Sequence, residues 1–221
     1  MIKIAEVVEE LIRQSPFITE AINEGLINIS ALARRLQPEV EGKLGKTVKS
    51  GAIVMAINRL QTGELMFIEK NIRLFFQQLS DISVRSNLSD YTFHNSDTLA
   101  QKQVRLLDMI SRDYPNAFYS FSQGVGETTI IVTNSLDQQV DEIFSDEKCL
   151  DKESQLSAIT LMLPIENRNL YGVYYYILKD LAWQGINLVE LISTSNEFTL
   201  IVTDDDLDHA FSVIMGLRKG G

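Results

Sequence analysis

The feature that most constrains the fold is a seven-residue sequence that occurs twice, as ETTIIVT at 127–133 and as EFTLIVT at 197–203. Five of the seven positions are identical at a constant offset. Because β-strands use few residue types, the matching letters alone are weak evidence of a duplication. Each copy, however, follows a predicted strand, helix and strand and precedes a polar turn and an amphipathic helix. This shared order of elements favours a duplicated β-α-β-β-α unit.

The first repeat is predicted at residues 80–148 and the second at residues 152–221. In the first, DISVRSNLSDYTFH predicts a strand, and Ser96 is the expected N-cap of the helix that follows. In the second, the strand LSAITLMLP stops at Pro164, and the helix VYYYILKDLAWQG is closed by a glycine before a hairpin and a last helix. A hairpin between two helices predicts an α+β fold of two ferredoxin-like units packed together.

The N-terminal third predicts a small helical domain at residues 1–63. Helical spacing marks a helix at 3–14, and Ser30 is the expected N-cap of a later one. Pro38 is expected to open a separate helical turn. Several short helices with small residues at their contacts resemble a helix-turn-helix or winged-helix module, although the predicted link from Gln37 to Lys49 is longer than the tight turn of that motif. Residues 64–79 predict a connecting helix, with a hairpin wing as the alternative.

Basic side chains in this third raise the question of nucleic-acid binding. Residues 1–75 contain ten Lys and Arg against nine Asp and Glu, so the acidic excess behind the net charge of −10 lies in the rest of the chain. That net charge argues against a broad nucleic-acid surface and against anionic membranes. Two interpretations stay open for the basic residues, namely contacts with DNA phosphates or solvated charges with Glu39 and Glu41 as partners. The residues concerned are Arg34, Arg35, Lys43, Lys46, Lys49 and Arg59.

Several classes of protein find little support in the sequence. Cys149 is the only cysteine, so an intrachain disulfide is excluded, which fits a cytoplasmic protein. The N-terminal MIKIAEVVEEL is not a signal peptide, and no apolar run approaches the length of about 18 residues that a membrane helix needs. Two histidines without nearby Cys or His predict neither a zinc site nor a His-dependent catalytic pair. The acids Asp204–Asp206 predict a solvated turn, so we expect a non-catalytic protein without a cofactor.

A resemblance to a known family rests on the second repeat. The residues that carry it are Gly172, Gly185-Ile186-Asn187, Ile192-Ser193-Thr194-Ser195 and the strand through Val202. Residues 185–214 resemble the second regulatory ACT domain of aspartokinases. The resemblance covers 156–214 well and 80–144 as a degenerate copy. It implies a tandem ACT protein with a helix-turn-helix-like N-terminal segment and without a kinase domain.

The resemblance also implies a binding site for a small amino acid. In ACT domains the effector is held by the loop after the first strand and by the start of the second strand. A helix N-terminus after a glycine offers free N–H groups to a carboxylate, and an asparagine amide offers donors and an acceptor. Helix packing, hairpin capping and turn formation are the alternative roles of such residues. The residues marked are Asn167, Asn169, Leu170, Tyr171, Gly172, Val173, Asn187, Ser193, Thr194 and Ser195.

This chain departs from the family pattern in two respects. Tyr171 precedes Gly172 and the tyrosines 174–176 follow it, and this bulk would narrow the pocket or face a partner. The strand that commonly completes an ACT unit has little room before the end of the second repeat. We expect that strand to come from elsewhere, for example from KESQL at 152–156, crossing between the two repeats.

Two functions follow as hypotheses. The first is an amino-acid-responsive regulatory protein whose helical domain reads out the bound state, with DNA or an enzyme as the target. The second is a non-catalytic interaction or oligomerisation protein, or a regulatory subunit of an amino-acid biosynthetic enzyme, without a ligand of its own. A homodimer through the ACT-like sheets is expected from the resemblance.

Overall fold

The computed structural model describes residues 3–60, 71, 72, 74–164 and 170–219. The chain divides into two compact units, an N-terminal unit at 1–74 and a C-terminal unit at 75–221. The predicted connecting helix at 64–79 lies partly outside the described residues, and its described part is helical at 71, 72 and 74–77. The predicted domain boundaries therefore stay predictions.

Four helices lie in residues 3–60 of the N-terminal unit, which is helical as its apolar periodicity predicts. They are α1 (Ile4–Arg13), α2 (Pro16–Asn23), α3 (Ile29–Leu44) and α4 (Ser50–Leu60). Each helix turns its apolar stripe toward a common core, because apolar residues three and four apart share one helix face. The buried residues of this core are Val7, Val8, Leu11, Ile12, Ile22, Leu32, Ala33, Leu36, Val40, Val48, Ile53, Ala56 and Ile57.

Helix α3 corrects two details of the sequence prediction. Its N-cap is Asn28, whose side-chain oxygen accepts a hydrogen bond from the N–H of Ala31 at 3.0 Å, and Ser30 lies inside the helix. Pro38 also lies inside this helix and does not open a new one. A proline in a helix interior costs about 3 kcal/mol, and the buried apolar face that continues from Leu36 to Val40 offsets that cost.

The link between α3 and α4 is consequently short. It comprises residues 45–49, so the predicted link from Gln37 to Lys49 is wrong. Two side chains of α3 hold it: Glu41 accepts a hydrogen bond from the Val48 N–H at 2.9 Å, and Gln37 donates to the Val48 carbonyl at 2.9 Å. The hydrogen bond from the Val48 backbone, followed by one from Gln37, lowers the pKa of Glu41.

A six-stranded antiparallel sheet organises the C-terminal unit, in the order β2-β3-β1-β4-β6-β5. Its strands are β1 (Ile82–His94), β2 (Tyr119–Gln123), β3 (Glu127–Thr133), β4 (Cys149–Met162), β5 (Glu190–Ser193) and β6 (Glu197–Thr203). Its helices are α5 (Leu99–Asp113), α6 (Asp137–Ile143), α7 (Val173–Trp183) and α8 (Leu207–Lys219). The order β-α-β-β-α occurs twice along the chain, and the predicted mixed fold with an antiparallel sheet is confirmed.

The long central strands β1 and β4 each serve both repeats. Strands β1 and β4 pair with each other along most of their length. In addition, the half of β1 that runs from Leu88 to His94 pairs with β3, and the half of β4 that begins at Leu156 pairs with β6. Each repeat thus obtains its fourth strand from the other, and the segment 152–156 supplies part of that strand for the first repeat.

In each repeat a serine of the long strand bonds to an aspartate that follows the hairpin. Ser89 Oγ donates to Asp137, the first residue of α6, at 3.1 Å, and Ser157 Oγ donates to Asp204, in the turn before α8, at 2.5 Å. Asp204 also begins a 3-10 turn in which the N–H of Asp206 donates to a threonine hydroxyl at 3.3 Å. The acidic run of the second repeat therefore has a structural role in this turn.

The core of the first repeat lies between its strands and its two helices. The amphipathic helix predicted after the first repeated strand is α6, and the apolar residues Leu136, Val140, Ile143 and Phe144 in and beside it are all buried. Ser96 also fulfils its predicted role in part: its Oγ accepts from the N–H of Leu99 at 3.1 Å, although Thr98 is the cap residue by backbone position.

Candidate functional site

A cavity of about 400 Å³ lies in the second repeat, between the N-terminus of α7 and the β5–β6 hairpin. The residues that line it are Leu170, Gly172, Val173, Tyr174, Tyr175, Thr194 and Ser195. Within the described part of the chain, this lining contains no acidic or basic side chain, so backbone groups, hydroxyl groups and aromatic rings determine its chemistry.

Gly172 positions the start of helix α7. It is the N-cap residue with φ of +90° and ψ of 0°, a conformation that strains any residue with a Cβ atom. It supplies no side-chain cap, and the first intrahelical bond runs from the Tyr176 N–H to the Gly172 carbonyl at 3.1 Å. The N–H groups of the first helical turn therefore have no acceptor within the helix. Together with the helix dipole, they favour an anionic group at this end of the cavity.

The β5–β6 hairpin forms the opposite wall. Thr194 closes the turn twice, since its N–H donates to the Glu197 carbonyl at 2.9 Å and its hydroxyl oxygen accepts from the Glu197 N–H at 3.2 Å. Since this oxygen acts as an acceptor toward Glu197, the Thr194 hydroxyl can still donate its proton to a ligand. The turn is also tied to the end of β4, because the N–H of Leu163 donates to the carbonyl of Asn196 at 2.7 Å.

Tyr174 joins the two walls. Its hydroxyl lies 2.9 Å from Ser193 Oγ, and its ring centroid lies 4.5 Å from that of Phe198, which is buried. The next two tyrosines lie near a cation: the Nζ of Lys179 is 5.7 Å from the ring centroid of Tyr175 and 4.7 Å from that of Tyr176. Of these tyrosines, Tyr174 and Tyr175 line the cavity, which has a volume near 400 Å³.

The predicted site residues divide into four groups. Five of them line the cavity: Leu170, Gly172, Val173, Thr194 and Ser195. Ser193 does not line the cavity but contacts Tyr174, which does. Tyr171, which is 83% exposed, and Asn187, which is exposed and precedes β5, do not line the cavity. Asn167 and Asn169 lie outside the described residues.

Two lining residues, Tyr174 and Tyr175, were missing from the predicted set. The signal that could have found them is their position in the first turn of the helix that Gly172 starts.

The corresponding place in the first repeat is occupied by side chains. Backbone hydrogen bonds establish the correspondence. The N–H of Asn95 donates to the carbonyl of Gly126 at 2.9 Å, just as the N–H of Leu163 donates to the carbonyl of Asn196 in the second repeat. Asn95 also accepts from Thr128 at 2.6 Å and donates to the carbonyl of Gly124 at 3.0 Å. The side chain of Asn95 thus joins this loop to the β2–β3 hairpin.

The six basic residues of the N-terminal unit are exposed and spread over three segments. Arg34 and Arg35 lie on α3, and Arg59 lies in the last turn of α4. Lys43 pairs with Glu10 at 2.6 Å, an exposed ion pair of little energetic weight. Lys46 and Lys49 lie in the short link. Their predicted role toward nucleic acid stays a prediction.

Neither metal binding nor membrane crossing finds support in the described ranges. No three His, Cys, Asp or Glu side chains there lie close enough together to hold a metal ion. None of the helices in the same ranges has the length and the apolar character that crossing a membrane requires.

No protein-family model matches this sequence, and no curated protein matches it either. Similarity is found among solved structures. The structure of aspartokinase alpha and beta subunits has a TM-score of 0.53 at 15% identity and covers 64% of this chain and 99% of that one. The aspartate kinase of Clostridium acetobutylicum has a TM-score of 0.53 at 13% identity, over 63% of this chain and 35% of that one.

A third similar structure is the regulatory subunit of aspartate kinase from Thermus thermophilus in its ligand-free form. Its TM-score is 0.50 at 8% identity, over 63% of this chain and 97% of that one. At such identities these similarities define the fold, which is ACT-like as the sequence predicted. They leave the helix-turn-helix assignment of the N-terminal unit as a prediction.

Proposed function

We propose that this chain is a non-catalytic regulatory protein that responds to a small amino acid bound in its second repeat. The observation that carries the proposal is the position of the cavity. It lies between the N-terminus of α7 and the Thr194 hairpin, where the resemblance to aspartokinase regulatory domains implies an effector. Five residues marked from the sequence line it.

The chemistry of the lining suits a zwitterionic ligand. The α-carboxylate would accept hydrogen bonds from the first-turn N–H groups that follow Gly172, in the field of the helix dipole. The hydroxyl groups of Tyr174, Thr194 and Ser195 offer both donors and acceptors to the ammonium group or to a polar side chain. The aromatic faces of Tyr174 and Tyr175 add cation–π attraction for a cationic group.

The response would reach the rest of the chain through the shared strands. Strand β4 leads directly to the cavity at Leu163 and also supplies the fourth strand of the first repeat. A ligand that binds one arrangement of the loop more tightly would shift the population of both repeats. The N-terminal helical unit is the proposed reader of that shift, with DNA or an enzyme as its target.

A screen of the twenty amino acids by thermal unfolding tests the proposal. A specific effector raises the melting temperature by linkage, and at one hundred times Kd the gain is about 2.7 kcal/mol, or about 5–10 °C for a protein of this size. A shift for one amino acid or a chemically related few supports the sensor. No shift for any of them at millimolar concentration rules out the amino-acid form of the proposal.

The alternative is an interaction protein or a regulatory subunit that has no ligand of its own. The exposure of Tyr171 at 83% and of Trp183 at 72% favours it, because large exposed aromatic side chains often mark contacts between proteins. The same screen separates the two functions, and sedimentation of the purified chain tests the expected homodimer.

A further inference from the structure

A second cavity, of about 300 Å³, lies in the first repeat, beside the loop between α5 and β2. Within the described part of the chain, its lining holds one charged side chain, that of Arg85, among apolar and neutral groups. The volume is at the lower end of the range of about 300–1,000 Å³ that is usual for ligand sites, so it suits a small molecule. The residues that line it are Arg85, Pro115, Asn116, Ala117, Phe118 and Tyr119.

Two contacts hold the guanidinium group of Arg85 in place. Its Nη1 donates a hydrogen bond to the carbonyl oxygen of Asn116 at 2.9 Å, and its central carbon lies 5.8 Å from the centroid of the Phe118 ring. Arginine can stack on an aromatic face while it donates hydrogen bonds in the plane of the group. The bond to Asn116 uses one of the five N–H donors and leaves the others for a further acceptor.

Arg85 has no carboxylate partner among the residues that the structure describes, although it lies in the acidic part of the chain. Other basic side chains of the same unit are paired, Arg112 with Asp108 and Lys152 with Asp141. Arg85 is exposed, so its remaining donors are open to solvent. An anchored arginine without a carboxylate is therefore available to an anionic ligand.

The loop that carries the other lining residues is fixed to the sheet. The N–H of Phe118 donates to Thr133 Oγ1 at 2.9 Å, and the N–H of Thr133 donates to the carbonyl of Phe118 at 3.1 Å. The Phe118 side chain is half-buried and packs against the apolar cluster that contains Leu88 and Ile131. The Asn116 side chain is exposed and makes no hydrogen bond among the described residues, so its amide offers the cavity a second donor.

The position that matches Arg85 in the other half of the sheet carries the opposite charge. Asn87 and Gln155 have similar positive φ values, +61° and +60°, and Arg85 and Glu153 each lie two residues before them. Glu153 lies opposite Asp90 in the pairing of β1 with β4, so two carboxyl groups are neighbours there. The duplicated fold therefore does not require an arginine at this position, and the basic cavity is particular to the first repeat.

We propose that the cavity at Arg85 binds a small organic anion in which a carboxylate is joined to an apolar body. Two N–H groups of the guanidinium donate to the carboxylate oxygens, with the Asn116 amide as a further donor. The apolar body lies against Pro115 and the Phe118 ring. This site does not depend on the proposed function, because it belongs to the other repeat and shares no described lining residue with the cavity beside Gly172.

Titration of the isotope-labelled chain with benzoate, followed by NMR, tests the proposal. Benzoate joins a carboxylate to a flat apolar ring, and benzamide has the same shape without the charge. For so small a probe a Kd of about 10 mM is expected, so a titration to about 50 mM reaches most of the saturation. The backbone amide signals of residues 116–119 are expected to shift saturably with benzoate and not with benzamide. Absence of such a shift, or an equal shift with benzamide, would overturn the proposal.

Substitutions of Arg85 test its part in binding. Arg85→Gln removes the charge, and its affinity for benzoate should fall by about tenfold or more. Arg85→Lys keeps the charge but loses the planar fork, so it should bind more weakly than the wild type and more tightly than Arg85→Gln. Amide signals far from the cavity report whether each variant is folded. Wild-type affinity in Arg85→Gln would contradict the proposal.

Arg105→Gln is the matched control. Arg105 is also exposed and lies on α5 of the same repeat, but it lines neither cavity. The variant is expected to bind benzoate as the wild type does. A loss of affinity equal to that of Arg85→Gln would show that only the net charge matters and would count against a site at Arg85.

The outcomes for the two cavities are separable by which signals move. A carboxylate bound beside Gly172 would shift the amide signals of residues 173–176, and these shifts would survive Arg85→Gln. Shifts confined to 173–176 would therefore remove the site at Arg85 and leave the proposed function intact. Binding of benzoate at 116–119 beside a negative amino-acid screen would do the reverse.

Discussion

Leu88 of β1 and Leu156 of β4 face each other at the centre of the sheet, and both side chains are fully buried. The residue before each of them has a positive φ, +61° for Asn87 and +60° for Gln155. These two residues mark the points at which each long strand passes from one repeat to the other. The pseudo-symmetry of the sheet therefore extends to its backbone conformation as well as to the repeated sequence.

The two positive-φ residues are expected to differ in strain. A left-handed conformation costs an ordinary residue about 1–2 kcal/mol, and asparagine tolerates it better than glutamine. We expect Gln155→Gly to raise the free energy of unfolding by up to about 1 kcal/mol after the entropic cost of glycine, and Asn87→Gly to raise it less. Urea unfolding of both variants measures this, and a larger gain for Asn87→Gly would contradict the prediction.

The buried carboxyl group of Asp90 is expected to make the stability of the protein depend on pH. It is 8% exposed, and its Oδ1 has no hydrogen-bond partner among the residues that the structure describes. Burial, followed by repulsion from Glu190, Glu153 and Asp151, raises its pKa from 3.8 to about 6. The folded protein binds a proton that the unfolded chain has lost, so this group makes stability fall as the pH rises from about 4 to about 6.

The substitution Asp90→Asn should remove that penalty. It is expected to stabilise the protein by about 1–3 kcal/mol at pH 7.5 and by little at pH 3.5, because the wild-type carboxyl is already neutral there. Urea unfolding at the two pH values measures the difference. Glu153→Gln, which removes only one repelling charge, should give a smaller gain at pH 7.5, and equal gains at both pH values for Asp90→Asn would refute the explanation.

Removal of the Tyr174 hydroxyl group is expected to weaken effector binding. Tyr174→Phe keeps the ring against Phe198 and removes the hydroxyl that lies 2.9 Å from Ser193. Loss of one hydrogen bond of about 0.5–1.5 kcal/mol lowers affinity about two- to tenfold, which titration calorimetry with the amino acid found in the screen can measure. Tyr119→Phe, on the exposed strand β2, is the matched control and should bind as the wild type does.

Substitutions in the N-terminal helical unit test whether DNA is its target. With the α3–α4 link only five residues long, at 45–49, the length objection to a helix-turn-helix arrangement no longer holds. If Arg34 and Arg35 contact phosphates, the double change to alanine should weaken binding to random duplex and reduce the salt slope by about 2. Arg112→Ala in the C-terminal unit is the control, and an unchanged affinity for the double variant would remove this surface.

The positions of most strands and helices were predictable from local chemistry. Strand β3 and strand β6 were predicted at their observed bounds, because alternating β-branched residues and glycine turns depend on near neighbours only. Gly172 and Thr194 were marked as site residues for a similar reason, since helix starts and hairpin turns have local signatures. Ser30 and Pro38 were misassigned because a cap and a proline break compete with burial of the whole face of α3, which no short window contains.

The sequence by itself determined the duplicated α+β fold, the helical character of the N-terminal unit and the loop at which a ligand site was to be sought. Tertiary structure alone decided that β1 and β4 pair along most of their length and so join the repeats, and that Ser96 meets Glu147 in the first repeat while the second repeat keeps a cavity. The reason is sequence separation. Ser96 and Glu147 meet although they lie 51 positions apart, and such contacts depend on the register of the whole sheet.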